Sequence, residues 1–549
     1  MQSLPNLPSL FTTFLFKSDQ SIDMTSLFTL SIQHRLSKVE LRRRIAIAWT
    51  SLRLQHPLLF ARVMDDPATG TRGFAVDIPS SPEAAIQEVE TSIIWFEDIY
   101  PEVNEREVYH HANNVTRIIQ PRKCLSELHV LPLTQLPDGT HSIRFLIVIA
   151  HQISDGLSAY SWFSHLIRIL NQPSHEILAD IASCGKPEKM QAVLPVAQEG
   201  LYPPVTGNRA RKRWFWALIR VLRYVKKGLP STFTNPLRRA QRLETLPQLQ
   251  PNFDGIFDYN PATRPPMFCG HISASLSPSA SSRLIALCRA ANVSVGAGCF
   301  ALAGLAMMAI HESLSTSSDY SESHRHPAFT ASFPLNPRAF FLNPPPADSC
   351  MLAFSEGIVM PFLSGSLPVE GRFKLVAKHA NRELRVYQKR KLKGKEMEGT
   401  PGILDKYSPG RLLATGYVAQ IERVEAKLPP SRRTASWSNP QGSLPPNTAG
   451  LGATCGVSSI GPLAAFFKRG TYDLRNLGDK DFAADFQRVK MGVRARENEF
   501  LVGSSTSAEG IVEFGVSYDL NAISEEMAEL WKSVIEGLLE VGEGERARL

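Results

Sequence analysis

A histidine followed four residues later by an aspartate and then a glycine, His151-Gln152-Ile153-Ser154-Asp155-Gly156, is the segment of this chain whose residue types and spacing best suit proton chemistry. A neutral imidazole takes a proton from a hydroxyl or an amine near neutral pH once its ring is fixed. Just upstream, Ser142 to Ala150 (SIRFLIVIA) is a short, β-branched apolar run that reads as a buried strand, so His151 falls where a strand gives way to a loop. Asp155 can help to fix the ring, although four residues on it is better placed to anchor the loop through an ion pair. Gly156 allows close backbone approach to a ligand or a sharp turn into the amphipathic segment that follows. The purely structural alternative is that His151 caps the strand and Asp155 N-caps a helix.

The rest of the chain must position this loop, and 549 residues are too many for one ordinary core. Two large subdomains are expected. Residues 1–185 alternate strand-like and helix-like segments and hold the histidine motif, 186–262 form a polar, proline-containing bridge, and 263–549 form the second half. That half carries Ser- and Pro-rich insertions at Ser313 to Pro327 and Pro429 to Gly450, and a C-terminal amphipathic helix, Ser524 to Leu539, with Ser524 as its N-cap. Val295 to Ile310 is apolar but short of the roughly 20 residues that span a bilayer, so a buried core helix is expected. Met1 to Gln20 lacks the charge and cleavage pattern of a secretory signal. The seven cysteines are scattered and without CxxC spacing, which suits reduced thiols in a cytoplasmic protein.

Other chemistries find no foothold. There is no GxSxG elbow, Walker loop, HExxH or GxGxxG. His110 and His111 are adjacent, and His324 and His326 sit in a Ser-rich insertion, so no metal site is expected. His34, His56, His165 and His311 read as structural or surface residues.

Several further segments, in order, resemble one family. Leu41 to Val63 looks like a first helix ending in a His-Pro-Leu turn before a strand. His271 to Ile310 looks like the strand, helix and long buried helix that open a second half, and Asn336-Pro337-Arg338 resembles an Asn-x-Arg segment. Val457 to Gly461 resembles a Ser-Asn-x-Gly-like strand, and Ile511 to Leu520 a late strand ending in Tyr-Asp. With the HxxxDG motif, these resemble the CoA-dependent acyltransferases of the chloramphenicol acetyltransferase fold, which include plant BAHD enzymes, nonribosomal peptide condensation domains, and fungal alcohol and trichothecene O-acetyltransferases. The plant enzymes' Asp-Phe-Gly-Trp-Gly is absent, its nearest counterpart being Glu513-Phe514-Gly515-Val516-Ser517, and 549 residues leave no room for carrier or adenylation domains.

The resemblance implies an α/β (α+β) fold of two chloramphenicol acetyltransferase-like subdomains, mixed sheets flanked by helices, with the active site in a tunnel between them. It implies direct transfer of a short acyl group, acetyl foremost, from acyl-CoA to a hydroxyl of a small molecule, a fungal secondary metabolite, with His151 as general base and no bound cofactor. Arg338, with Asn336 beside it, is then the candidate ion-pair partner of Asp155. Backbone N–H groups near Gly156 and the hydroxyls of Ser458 and Ser459 are candidate oxyanion donors. Two alternatives stay open: a free-standing condensation-type enzyme using a carrier-bound acyl group, and a non-catalytic binding protein of the same fold. A monomer is expected.

Asn208 to Leu243 carries eleven Lys or Arg and no acid, more than the whole chain's net charge of +8. Within it, Arg209 to Lys227 places Trp214, Ala217, Leu218, Val221, Leu222 and Val225 at helical spacing. Three readings compete: a helix packed by that apolar face over the subdomain junction, which is preferred, a weak peripheral contact with anionic membrane, or a clamp for the phosphates of CoA. Nucleic acid is not expected, since no recognised binding fold accompanies the patch.

Overall fold

The computed structural model describes residues 23–65, 72–196, 201, 208–225, 231–245, 247–315, 327–336, 338, 345–351, 353–354, 357–385 and 454–540. The two Ser- and Pro-rich insertions fall largely or wholly outside these residues, as do His324, His326 and the first twenty residues.

Two mixed six-stranded sheets organise the described chain. The strands are β1 (Asp23–His34), β2 (Arg62–Asp65), β3 (Arg72–Ala75), β4 (Ile94–Trp95), β5 (Ser126–Val130), β6 (Thr134–Gln135), β7 (His141–Ala150) and β8 (Cys269–Ser275). They continue as β9 (Phe329–Ser332), β10 (Pro334–Leu335), β11 (Ala353–Phe354), β12 (Ile358–Met360), β13 (Cys455–Pro462), β14 (Phe482–Val493), β15 (Phe500–Thr506) and β16 (Val512–Asp519). The first sheet runs β14-β1-β7-β5-β4, with β6 against β7; the second runs β12-β9-β13-β15-β16-β8. Two short ribbons, β2 with β3 and β10 with β11, stand apart.

β7 is central, flanked by β1 and β5, and buried from Phe145 to Ala150. That position explains an apolar run without alternation: both of its faces are covered, so neither calls for polar residues. The helix Lys38–Gln55 begins at a capping box between Ser37 and Glu40, and leads through the Pro57–Phe60 turn into β2, as its resemblance implies. In the second half the helix Val295–Ser315 is long and apolar enough to cross a bilayer, yet Ala297 to Ile310 are buried inside the protein. It is a core helix. Ser524 caps the helix Glu525–Gly537 by accepting from the Met527 N–H, and Trp531 of that helix is fully buried against Phe500 and Phe514.

The division at residue 263 separates the chain but not the cores. β14 belongs to the second half by sequence, yet it pairs along its length with β1 of the first sheet, from Met24 opposite Val493 to His34 opposite Phe482. Its Phe486 stacks on Phe467 at 4.4 Å, and both join the first core beside Phe28. The bridge is likewise divided between cores. Phe253 and Phe257 pack edge-on against Phe96 in the first, whereas Phe233 and Leu237 enter the second. An ion pair from Arg242 to the buried Asp519, 3.0 Å, pins its later part.

The preferred packing of the basic helix is corrected. The helix Arg209–Val225 forms, but Phe215 and Ile219 are its buried residues, whereas Trp214 is 64% and Val221 56% exposed. Its Arg211, Lys212, Arg213 and Arg220 are exposed as well, and Lys226 and Lys227 lie outside the described residues. Two apolar stripes run side by side on this helix, and the one containing the tryptophan faces outward. Trp214→Ala should therefore change stability by less than about 0.5 kcal/mol, whereas Phe215→Ala should cost about 3 to 5 kcal/mol. Chemical denaturation of the two variants checks this, and comparable losses would mean that the helix is seated on its other face.

Candidate active site

The candidate site begins where β7 ends. The chain leaves the sheet at Ala150 and turns at once, the Ile153 N–H donating to the Ala150 carbonyl at 3.0 Å and the buried Ser154 hydroxyl to the same carbonyl at 3.3 Å. This turn brings the Ser154 carbonyl to 2.7 Å from His151 Nδ1. A carbonyl only accepts, so Nδ1 carries the hydrogen and the lone pair lies on Nε2. His151 is half-buried. The ring is held by a backbone carbonyl three residues on, and Asp155 makes its bonds elsewhere.

Asp155 fulfils both readings of the sequence at once, because a carboxylate has two oxygens. Oδ1 accepts the N–H groups of Leu157 and Ser158, each at 2.9 Å, capping the helix Gly156–Leu170, and the Ser158 hydroxyl accepts the Asp155 N–H at 2.8 Å. Oδ2 accepts from Arg338 Nη2 and from the Met351 N–H, both at 2.7 Å. Arg338 also donates to the Ser349 carbonyl. The Asn336 carboxamide oxygen accepts from the Arg338 N–H at 3.1 Å and from Nη1 at 3.2 Å, which orients the guanidinium. Asp155 and Arg338 are buried, 8% and 7% exposed, so the loop after β7 in the first half and Arg338 of the second share a desolvated charge pair.

Gly156 opens the helix, and it is not among the glycines with positive φ. A Cβ there would lie 3.4 Å from Ile460 Cδ1 and 3.7 Å from Met491 Cε, ordinary contact distances. Neither backbone strain nor crowding therefore requires a glycine here, although the position faces β13 and β14. Ile460 is aimed this way by a bulge, since the pairing of β13 with β15 shifts between Ser459 and Gly461, and Gly461 takes φ +86°. Of the two candidate serines, Ser458 offers its carbonyl to the Ser504 hydroxyl, and the exposed Ser459 lies beside Gly296, whose added Cβ would stand 3.3 Å from the Ser459 hydroxyl.

Beside β14, His271 lies 3.3 Å from the Cys269 sulfur and 3.2 Å from the Ser517 hydroxyl. Burial, with a smaller contribution from Lys490, pushes this imidazole down to about 3, and burial pushes the Cys269 thiol up to about 12. The pair is neutral at physiological pH, unlike an activated thiolate with its imidazolium.

Comparison with known proteins gives the fold. No family model matches the chain, and no curated protein matches it by sequence. Among solved structures, a trichothecene 15-O-acetyltransferase from Fusarium sporotrichioides superposes with a TM-score of 0.60 at 13% identity, covering 97% of this chain and 94% of that one. The first condensation domain of the calcium-dependent antibiotic synthetase gives 0.50 at 12% identity, covering 98% of this chain and 95% of that one. The chain thus has the chloramphenicol acetyltransferase-like fold, as the HxxxDG resemblance implies. Within that class its architecture of two mixed sheets flanked by helices is the one found in acetyltransferases and condensation enzymes.

Asp155→Asn should damage stability at least as much as chemistry. Stranding the Arg338 charge in a buried site costs roughly 3 to 5 kcal/mol. A double-mutant cycle with Arg338→Met, read by denaturation, should give strongly non-additive losses; additivity would show that the pair is not coupled.

Proposed function

We propose that this protein is an acyltransferase that moves a short acyl group, acetyl foremost, from acyl-CoA to a hydroxyl of a small molecule. The observation that carries the reading is His151 itself, at the end of a buried strand, with Nδ1 engaged by the Ser154 carbonyl and Nε2 available as base. In this reading Nε2 takes the acceptor's proton as its oxygen attacks the thioester carbonyl. The C–S bond then breaks, and the proton passes from Nε2 to the departing CoA sulfur. No covalent enzyme intermediate is required, because holding both substrates together supplies much of the acceleration. Of the backbone N–H groups near Gly156, those of Asp155, Leu157 and Ser158 are taken up by the helix cap, so the Gly156 N–H and the hydroxyls of Ser458 and Ser459 are the proposed oxyanion donors, and Asp155 and Arg338 the anchor of the loop. A secondary metabolite of fungal origin is the proposed acceptor, on the likeness to the trichothecene enzyme's fold. A monomer in the cytoplasm is part of the same proposal; the cytoplasmic part is supported by seven cysteines that form no disulfide.

The test is thiol release from a panel of acyl-CoAs with candidate alcohols, followed by mass spectrometry of the product. His151→Ala should lower turnover at least about a hundredfold, the loss of a general base, with an unchanged melting temperature. Near-normal turnover in that variant would overturn the mechanism. Activity only with a carrier-bound acyl group would make the protein a condensation-type enzyme, and ligand binding without turnover a binding protein.

The outward stripe of the basic helix supports a weak peripheral contact with anionic membrane, since Trp214 and Val221 stand exposed among arginines. Binding to phosphatidylserine vesicles should fall as salt rises, each Lys or Arg contributing about 1 kcal/mol near such a surface. Charge reversal at Arg211, Lys212 and Arg213 should abolish it. A raised KM for acyl-CoA without vesicle binding would instead make the helix a phosphate clamp.

A further inference from the structure

A second link between the halves runs along the same helix that Asp155 caps. Asp348 Oδ2 lies 3.0 Å from His56 Nδ1, His56 Nε2 lies 2.9 Å from His165 Nδ1, and His165 Nε2 lies 2.6 Å from Arg168 Nη2. The chemistry of the two ends fixes every proton. A guanidinium only donates, so His165 Nε2 accepts and its Nδ1 carries the hydrogen; that N–H donates to His56 Nε2, and the His56 Nδ1–H donates to the carboxylate, which only accepts. Both rings are therefore neutral, and all four ring nitrogens are engaged. Burial first, then the neighbouring His56 and Arg168, pushes His165 down to about 3, and the hydrogen bond from His56 holds the Asp348 carboxyl below its ordinary range.

Three elements meet here. His56 ends the helix Lys38–Gln55 and precedes Pro57, which keeps it out of the helical conformation, at φ −127° and ψ 76°. His165 lies in the third turn of the helix Gly156–Leu170. Asp348 comes from the second half, one residue before Ser349, whose carbonyl accepts from Arg338, and three before Met351, whose N–H binds Asp155. The short segment 345–351 is thus fastened to the first half at two places, the N-cap of the helix through Asp155 and, by way of His56, its third turn.

We propose that Asp348, His56 and His165 are positioning residues, a latch that seats segment 345–351 on the catalytic loop and thereby fixes the Arg338–Asp155 pair for acyl transfer. This rests on the acyltransferase reading. Residues that touch no substrate matter in this way because a displacement of about 1 Å at a reacting group can cost about a hundredfold in rate.

The test combines kinetics with amide hydrogen exchange in the full-length protein. Asp348→Ala should lower kcat about tenfold while KM for acyl-CoA stays within about twofold, as expected of misplacement without lost binding. Exchange in the peptide 345–351 should quicken in the same variant and in His56→Ala. Asp348→Asn, which keeps an accepting oxygen for His56, should restore most of the rate. With Arg338→Met the loss in kcat should be less than additive, since each change releases the same segment. Unaltered exchange at 345–351 in both variants, additive losses, or a loss of kcat that only follows a loss of melting temperature and is not rescued by asparagine would each overturn the latch. Because exchange needs no turnover, a wild-type protein inactive on every acyl-CoA would overturn the acyltransferase reading and leave the seating of the segment still measured.

Discussion

The carboxylate of Asp155 is the constraint from which the site follows. A buried charge is tolerable only when its acceptor positions are filled, and here three backbone N–H groups and one guanidinium fill them. Two of those N–H groups start a helix, so the direction of Gly156–Leu170 is set by the same side chain that binds the second half. Because Asp155 is fixed, Ser154 before it is fixed too, and its carbonyl decides which nitrogen of His151 bears the proton. The tautomer of the proposed base is therefore a consequence of how the two halves are joined.

That joining is topological as well as electrostatic. β14 completes the first sheet after the chain has already begun building the second, and Phe467 and Phe486 bury their rings in the first core on the way. The bridge then places Phe253 and Phe257 on one side and Phe233 and Leu237 on the other. Neither half can close its core with its own contiguous sequence. A polar, proline-containing composition marks residues 186–262 as a connection, but the aromatic residues within it are structural members of both units.

The basic helix shows how a correct period can still leave a face undecided. Trp214, Ala217, Leu218 and Val221 lie on one stripe, and Phe215 and Ile219 on the stripe next to it. Both satisfy helical spacing, and the tryptophan makes the first look the more valuable to bury. The protein buries Phe215 and Ile219. The wheel records only which residues share a side, and the surface available for packing makes the selection.

What the sequence determined by itself was local and periodic. The apolar run before His151 reads as a covered strand, Ser524 with the acids after it is a cap legible from adjacent residues, and the ordered segments around HxxxDG were enough for the fold class. The tertiary structure decided everything that depends on residues far apart in the chain meeting in space. Arg338 comes to Asp155 from 183 positions away, and it was legible only through resemblance. His56 and His165 read only as structural or surface residues, and their meeting with Asp348 was not legible, because separate histidines and an aspartate near prolines carry no spacing signal. The hold on His151 comes from a carbonyl, a group that every residue possesses, so only the path of the backbone could reveal it.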